Sequence, residues 1–173
     1  MRNRLTKLVF PLFALLLLAP WPIAYAHSYN GGVSGQDAVQ IRIAEPSAMP
    51  SWHAFGRAIG GVDTPGDLFY INATENPTDI EVILYLTNTN ELCHYYSYLI
   101  LEVGIYSEGD AGEWAKTSIP DIFITLRNGL VRFTVPGYAK YKVTIDDGCF
   151  NCFGTVADGS VVAPQFYLTT DQM

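Results

Sequence analysis

The stretch DIEVILYL (residues 79–86) places Ile80, Val82, Leu84 and Leu86 on one side and Glu81, Ile83 and Tyr85 on the other. A period of two over eight residues is the mark of a strand with one buried face. The rhythm returns in YLILEVGIY (98–106), whose inner set is Leu99, Leu101, Val103 and Ile105. It returns again in AVQIRIA (38–44), DIFITL (121–126), LVRFTV (130–135), YKVTI (141–145) and QFYLTT (165–170). Between these runs lie TPGD, ENPTD, SEGDAGE, RNG, VPG and DDG, the residue types that make turns.

Two stretches break the pattern. SWHAFGRAIGG (51–61) reads as one or two helical turns ended by Gly60 and Gly61, and NELCHYYSYL (90–99) as a short helix running into the next strand. The total is eight or nine strands, no long helix and no internal repeat. Strands joined by short turns without crossover helices predict an all-β fold, an antiparallel β-sandwich or jelly roll.

The first 26 residues read differently. Arg2, Arg4 and Lys7 precede an apolar run from Leu8 to Leu18, and Ala24 and Ala26 supply a small-x-small cleavage site. This is the pattern of a secretory signal peptide. The expected organisation is a signal peptide over 1–26, an extended N-terminal segment over 27–36, and one β-sandwich domain over 37–173. The mature chain has 147 of the 173 residues and starts at His27. It keeps 7 of the 10 basic residues and all 17 acidic ones, a formal charge of −10. That balance argues against nucleic acid or an anionic lipid surface as partner. No second stretch is apolar enough to span a bilayer, so no membrane partner is expected after cleavage. Charged residues make up only 16% of the chain, which leaves surface to be covered by neighbours or sugars.

In the long stretch DTPGDLFYINATENPTDIEVILYLTN (63–88), a turn at Pro65, Gly66 and Asp67 leads into a strand. A turn containing Asn72 or Asn76 follows, and then the strong strand over Ile80 to Leu86. This order resembles the TasA/camelysin-like secreted proteins. NTNELCHYYSYLILEVGIYSEG (88–109) is similar to the archaeal relatives, the bundling-pilus and cannula subunits. The resemblance covers residues 27–106; CFNC lies outside the pattern. It implies a jelly roll exported by a signal peptide, whose subunits build extracellular filaments or tubes by donating the N-terminal strand to the next copy. The partner is then another copy of the same chain. The donor candidates are His27, Ser28, Tyr29, Asn30 and Val33, with Tyr29 and Val33 pointing inward. The receiving core is formed by Ile80, Val82, Leu84 and Leu86 with Leu99, Leu101, Val103 and Ile105. On this reading the segment HSYNGGVSGQ (27–36) has no partner in an isolated subunit, whose groove stays open.

Other residues carry alternative chemistry. A mature N-terminal histidine is half of a copper brace, in which His27 binds Cu(II) with its amine and ring, aided by His53 or His94. Glu108, Asp110, Glu113, Asp146 and Asp147 sit in turns and are the candidates for calcium; no D-x-D-x-D loop accompanies them, and the filament reading requires no cofactor. Cys93, Cys149 and Cys152 in an exported chain predict one disulfide and one leftover thiol, with CFNC (149–152) closing a loop or one of its cysteines bridging to Cys93. Asn72 opens an N-A-T glycosylation acceptor. CHYYSYL (93–99) holds the densest tyrosine cluster and is a candidate sugar-stacking patch, the mark of a surface carbohydrate-binding module. No G-x-S-x-G, H-E-x-x-H or phosphate-binding glycine loop occurs, and no enzyme activity is expected.

Overall fold

The computed structural model describes residues 32–34, 39–54, 59–153 and 162–172. Within them twelve strands and one α-helix follow in the order β1 (Gly32–Ser34), β2 (Gln40–Ile43), β3 (Ser51–Ala54), β4 (Ile59–Thr64), β5 (Gly66–Asn72), β6 (Ile80–Leu86), α1 (Thr89–Tyr95), β7 (Tyr96–Glu108), β8 (Trp114–Lys116), β9 (Ile122–Thr125), β10 (Leu130–Val135), β11 (Lys140–Cys152) and β12 (Phe166–Gln172). The fold is all-β. A four-stranded sheet runs β1-β12-β6-β10. It faces a larger sheet in which β11 is flanked by β7 on one side and by β5 and β4 on the other.

The alternation in β6 does what its sequence requires: Ile80, Val82, Leu84 and Leu86 are buried in the core. Leu99, Leu101, Val103 and Ile105 of β7 meet them from the opposite sheet, and Phe69, Phe150 and Phe166 fill the space between. A short helix is present as α1 over Thr89–Tyr95, with Leu92 its buried residue, while residues 96–99 of the expected stretch already belong to β7.

Three expectations need correction. SWHAFGRAIGG is not helical at its ends: Ser51–Ala54 and Ile59–Thr64 are paired antiparallel strands. Trp52 is 4% exposed and joins the core, so tertiary burial overrides a local helical reading. DDG does not turn the chain either. β11 runs through Asp146, Asp147 and Gly148 and absorbs them in a bulge, where the register with β7 shifts between Ile145 and Asp147. CFNC is therefore strand, not loop. The strand count is also higher than expected, because short edge strands such as β1, β3 and β8 carry too few residues to show a period.

Candidate functional site

β1 is the edge of the smaller sheet and lies parallel to β12, the last strand of the chain. Gly32 is level with Tyr167, Val33 with Leu168 and Ser34 with Thr169. Leu168 and its neighbour two back, Phe166, are fully buried. The strand adjoining β1 is thus β12, which was absent from the expected receiving set; the named residues of β6 and β7 lie deeper in the core. The structure also corrects the open groove. Part of the N-terminal segment is paired within its own subunit. His27, Ser28, Tyr29 and Asn30 lie outside the described residues.

Just beyond the β12 end of this edge is an apolar cavity of about 150 Å³. Pro46, Met49, Pro50 and Trp52 line it from one stretch of the chain, and Ala163, Pro164 and Phe166 from another. Both walls are pinned. Residues 48–50 press on Gly66, where a Cβ would collide with backbone atoms of Ala48, Met49 and Pro50. Only glycine admits that approach. The opposite wall is held by Asn88, whose Nδ2 donates to the Ala163 carbonyl (3.0 Å) and whose Oδ1 accepts from the Gln165 amide (2.9 Å). The Tyr96 hydroxyl donates to the Val162 carbonyl (2.7 Å), and burial raises its pKa.

A second feature crosses the outer face of the larger sheet. Register aligns Arg42, Tyr70, Lys142, Tyr106 and Lys116 in one row over five strands. Cations and rings alternate along it: the Arg42 guanidinium is 4.7 Å from the Tyr70 centroid, and Lys142 Nζ is 5.2 Å from that of Tyr106. The Tyr70 hydroxyl donates to Asp67 (2.5 Å), which also pairs with Lys142 (3.1 Å). Burial first, then Asp67, pushes the Tyr70 pKa up to about 12. Trp114 stands 6.0 Å from Tyr70 at one side of an open trough of about 620 Å³, which Gln40, Asn72, Glu108 and Lys140 also line. These aromatic residues were not singled out in the sequence, since Tyr70 and Trp114 come together only through the sheet.

The remaining candidates are scattered. Glu108 pairs with Lys140 (2.6 Å), and Asp146 accepts from Tyr106 (3.0 Å) and pairs with Lys116 (3.1 Å). Asp110, Glu113 and Asp147 are exposed. Among the described residues no three His, Cys, Asp or Glu side chains gather as a metal site. His94 is exposed and its Nδ1 donates to the Asn90 carbonyl (2.6 Å); His27 and the side chain of His53 lie outside the described residues. Asn72 ends β5 half-buried, its Oδ1 accepting from the Thr74 hydroxyl (2.8 Å). In the tyrosine cluster Tyr95 and Tyr98 are exposed while Tyr96 is core.

All three cysteines are thiols. Cys93 and Cys149 are exposed and Cys152 is buried. Cys149 and Cys152 are three positions apart on one strand. Their Cα atoms are therefore about 10 Å apart, beyond the reach of roughly 7 Å that a disulfide allows. That rules out the short-loop bridge in this conformation. Burial pushes the Cys152 thiol up, away from the reactive thiolate.

No protein-family model matches the chain, and no curated protein is significantly similar to it.

Proposed function

We propose that the protein is a secreted structural subunit that polymerises into extracellular filaments or tubes by exchange of its N-terminal strand. The observation that carries this reading is the position of β1: among the described residues it is the first strand, lies at a sheet edge, and pairs with β12. An edge strand of three residues is held by few hydrogen bonds, and an identical segment from another copy offers the same ones. Exchange therefore costs little in contacts made and broken. A segment that leaves its own subunit for the next makes a head-to-tail contact, which grows into a fibre when the rotation does not close. The fold class, the export signal and the small share of charged residues agree with such a subunit.

The test compares the full mature chain from His27 with a form lacking residues 27–35, by negative-stain microscopy and circular dichroism. The reading requires fibres from the first, and a β-rich, non-assembling product from the second. Fibres from both forms overturn it.

A second reading, a carbohydrate-binding module, is favoured by the Tyr70–Trp114 trough, which sets rings among amide and charged side chains. Sugars offer apolar ring faces to aromatic residues and hydroxyls to polar ones. Loss of oligosaccharide binding in a Trp114→Ala variant would support it. An unchanged affinity would remove it.

A further inference from the structure

We propose that Asn72 carries an N-linked oligosaccharide and that the trough beside it is the seat of that attached glycan, stacked on Tyr70 and Trp114. Such a seat is independent of strand exchange. It shares with the carbohydrate-binding reading only the trough's fitness for sugar, and gives the trough an occupant that belongs to the chain itself.

The acceptor motif and the trough meet at one residue. Asn72 opens N-A-T and also lines the trough. In the sheet it lies level with Gln40 on one side and Lys140 on the other. Lys140 pairs with Glu108 (2.6 Å), and Glu108 is level with Trp114, so a second row runs beside that of Arg42 and Tyr70. Tyr70 stands two positions before Asn72 on β5, which puts both on the outer face about 7 Å apart. The Trp114 centroid lies 5.5 Å from Lys142 Nζ and 6.0 Å from the Tyr70 centroid, so the indole reaches back across the sheet. A sugar on Asn72 starts in the trough, and the rings that follow it pass Tyr70 and meet Trp114.

The Asn72 amide is turned for the link. The Thr74 amide and hydroxyl both donate to Oδ1 (3.2 and 2.8 Å). A backbone N–H can only donate, so the bonded atom is the oxygen and Nδ2 points away from Thr74. Among the described residues no hydrogen bond engages Nδ2. Under an oligosaccharyltransferase, Nδ2 loses a proton and bonds to the anomeric carbon of an oligosaccharide carried on a polyprenyl diphosphate. The bond from that carbon to the diphosphate oxygen breaks, and the diphosphate leaves. In the folded protein Ala73 is fully buried and its amide donates to the Ala139 carbonyl (2.9 Å). Transfer therefore belongs to the exported chain before β5 closes between β2 and β11, and folding then lays the glycan along the trough.

The trough has the chemistry to hold it. Sugar rings present apolar faces to Tyr70 and Trp114, and hydroxyls to the exposed Gln40, Arg42 and Lys140. A tethered ligand binds as an intramolecular one, so stacking too weak to capture a free sugar suffices.

The experiment compares one sequence in two states: the mature chain exported by a cell that has an oligosaccharyltransferase, and the same chain from a cell that lacks one. Peptide mapping of the first should find a saccharide adduct on Asn72; an unmodified Asn72 overturns the attachment. Acrylamide quenching of fluorescence reads Trp114, because the other tryptophan after the cleavage site, Trp52, is 4% exposed. The bare form should be quenched more strongly and should melt roughly 2–8 °C lower, the shift expected for loss of an aromatic stack. Equal quenching and equal melting overturn the seat even where the glycan is attached. Trp114→Ala should erase the melting difference between the two forms, and a difference that persists in this variant overturns the trough as the seat. Binding of free oligosaccharide to the bare form through Trp114, with the attached glycan unseated in the other, would sink this inference and leave the carbohydrate-binding reading standing.

Discussion

Gly66 lies against the peptide nitrogen of Pro50, closer than any residue with a Cβ could come. The glycine of the PGD turn thus seats residues 48–50, and with them one wall of the apolar cavity. Gly66→Ala should cost roughly 1–3 kcal/mol by overpacking and lower the melting temperature by several degrees. A calorimetric scan checks this, and an unchanged transition would mean that residues 48–50 do not hold this seat.

Asn88 joins α1 to the opposite wall through both ends of its amide. Asn88→Ala leaves the Ala163 carbonyl and the Gln165 amide without these partners, a loss of about 1–3 kcal/mol. Chemical denaturation of the monomeric form measures the stability term. An unchanged denaturation midpoint would mean that Asn88 does not hold these two backbone groups.

Alkaline pH should destabilise the fold in a defined window. The Tyr70 pKa rises from the ordinary 10 to about 12, because burial and the bond to Asp67 favour the neutral phenol. Between those values the unfolded chain has released a proton that the native state retains, so stability falls as pH rises. Tyr106 and Tyr141 are shifted in the same direction by burial first. Denaturant midpoints measured across this window should decline, and Tyr70→Phe should make the decline shallower. A flat profile would contradict the Asp67 contact.

Thiol accessibility separates the cysteines. In the native protein a maleimide should label Cys93 and Cys149 quickly and Cys152 only after unfolding, since Cys152 is buried and its thiol is shifted up. Intact mass with peptide mapping reads the result. Finding only one reactive thiol would reveal a bridge that this conformation does not contain.

How much was legible in the chain varies with the length of each element. β6 and β7 carry four alternating apolar positions and β10 and β12 carry three apolar or β-branched ones, and period two identifies these strands with their buried faces. The short helix after Asn88 was legible for the same local reason, because its residues interrupt that period. The acidic balance also follows from composition alone.

Tertiary structure decided everything that depends on which strands meet. The pairing of Val33 with Leu168 joins the two ends of the chain, and no local pattern encodes a contact over so many residues. Asp146, Asp147 and Gly148 have turn chemistry, yet β11 continues through them with a bulge because β7 pairs with it on both sides of that point. Trp52 lies in a strand rather than a helix because the core buries it. The cavity draws on residues from 46–52 and 163–166, and the trough on Tyr70 and Trp114; each is assembled by sheet register, which is a property of the packed whole. Local alternation determines that a residue faces inward, and only packing determines what it faces.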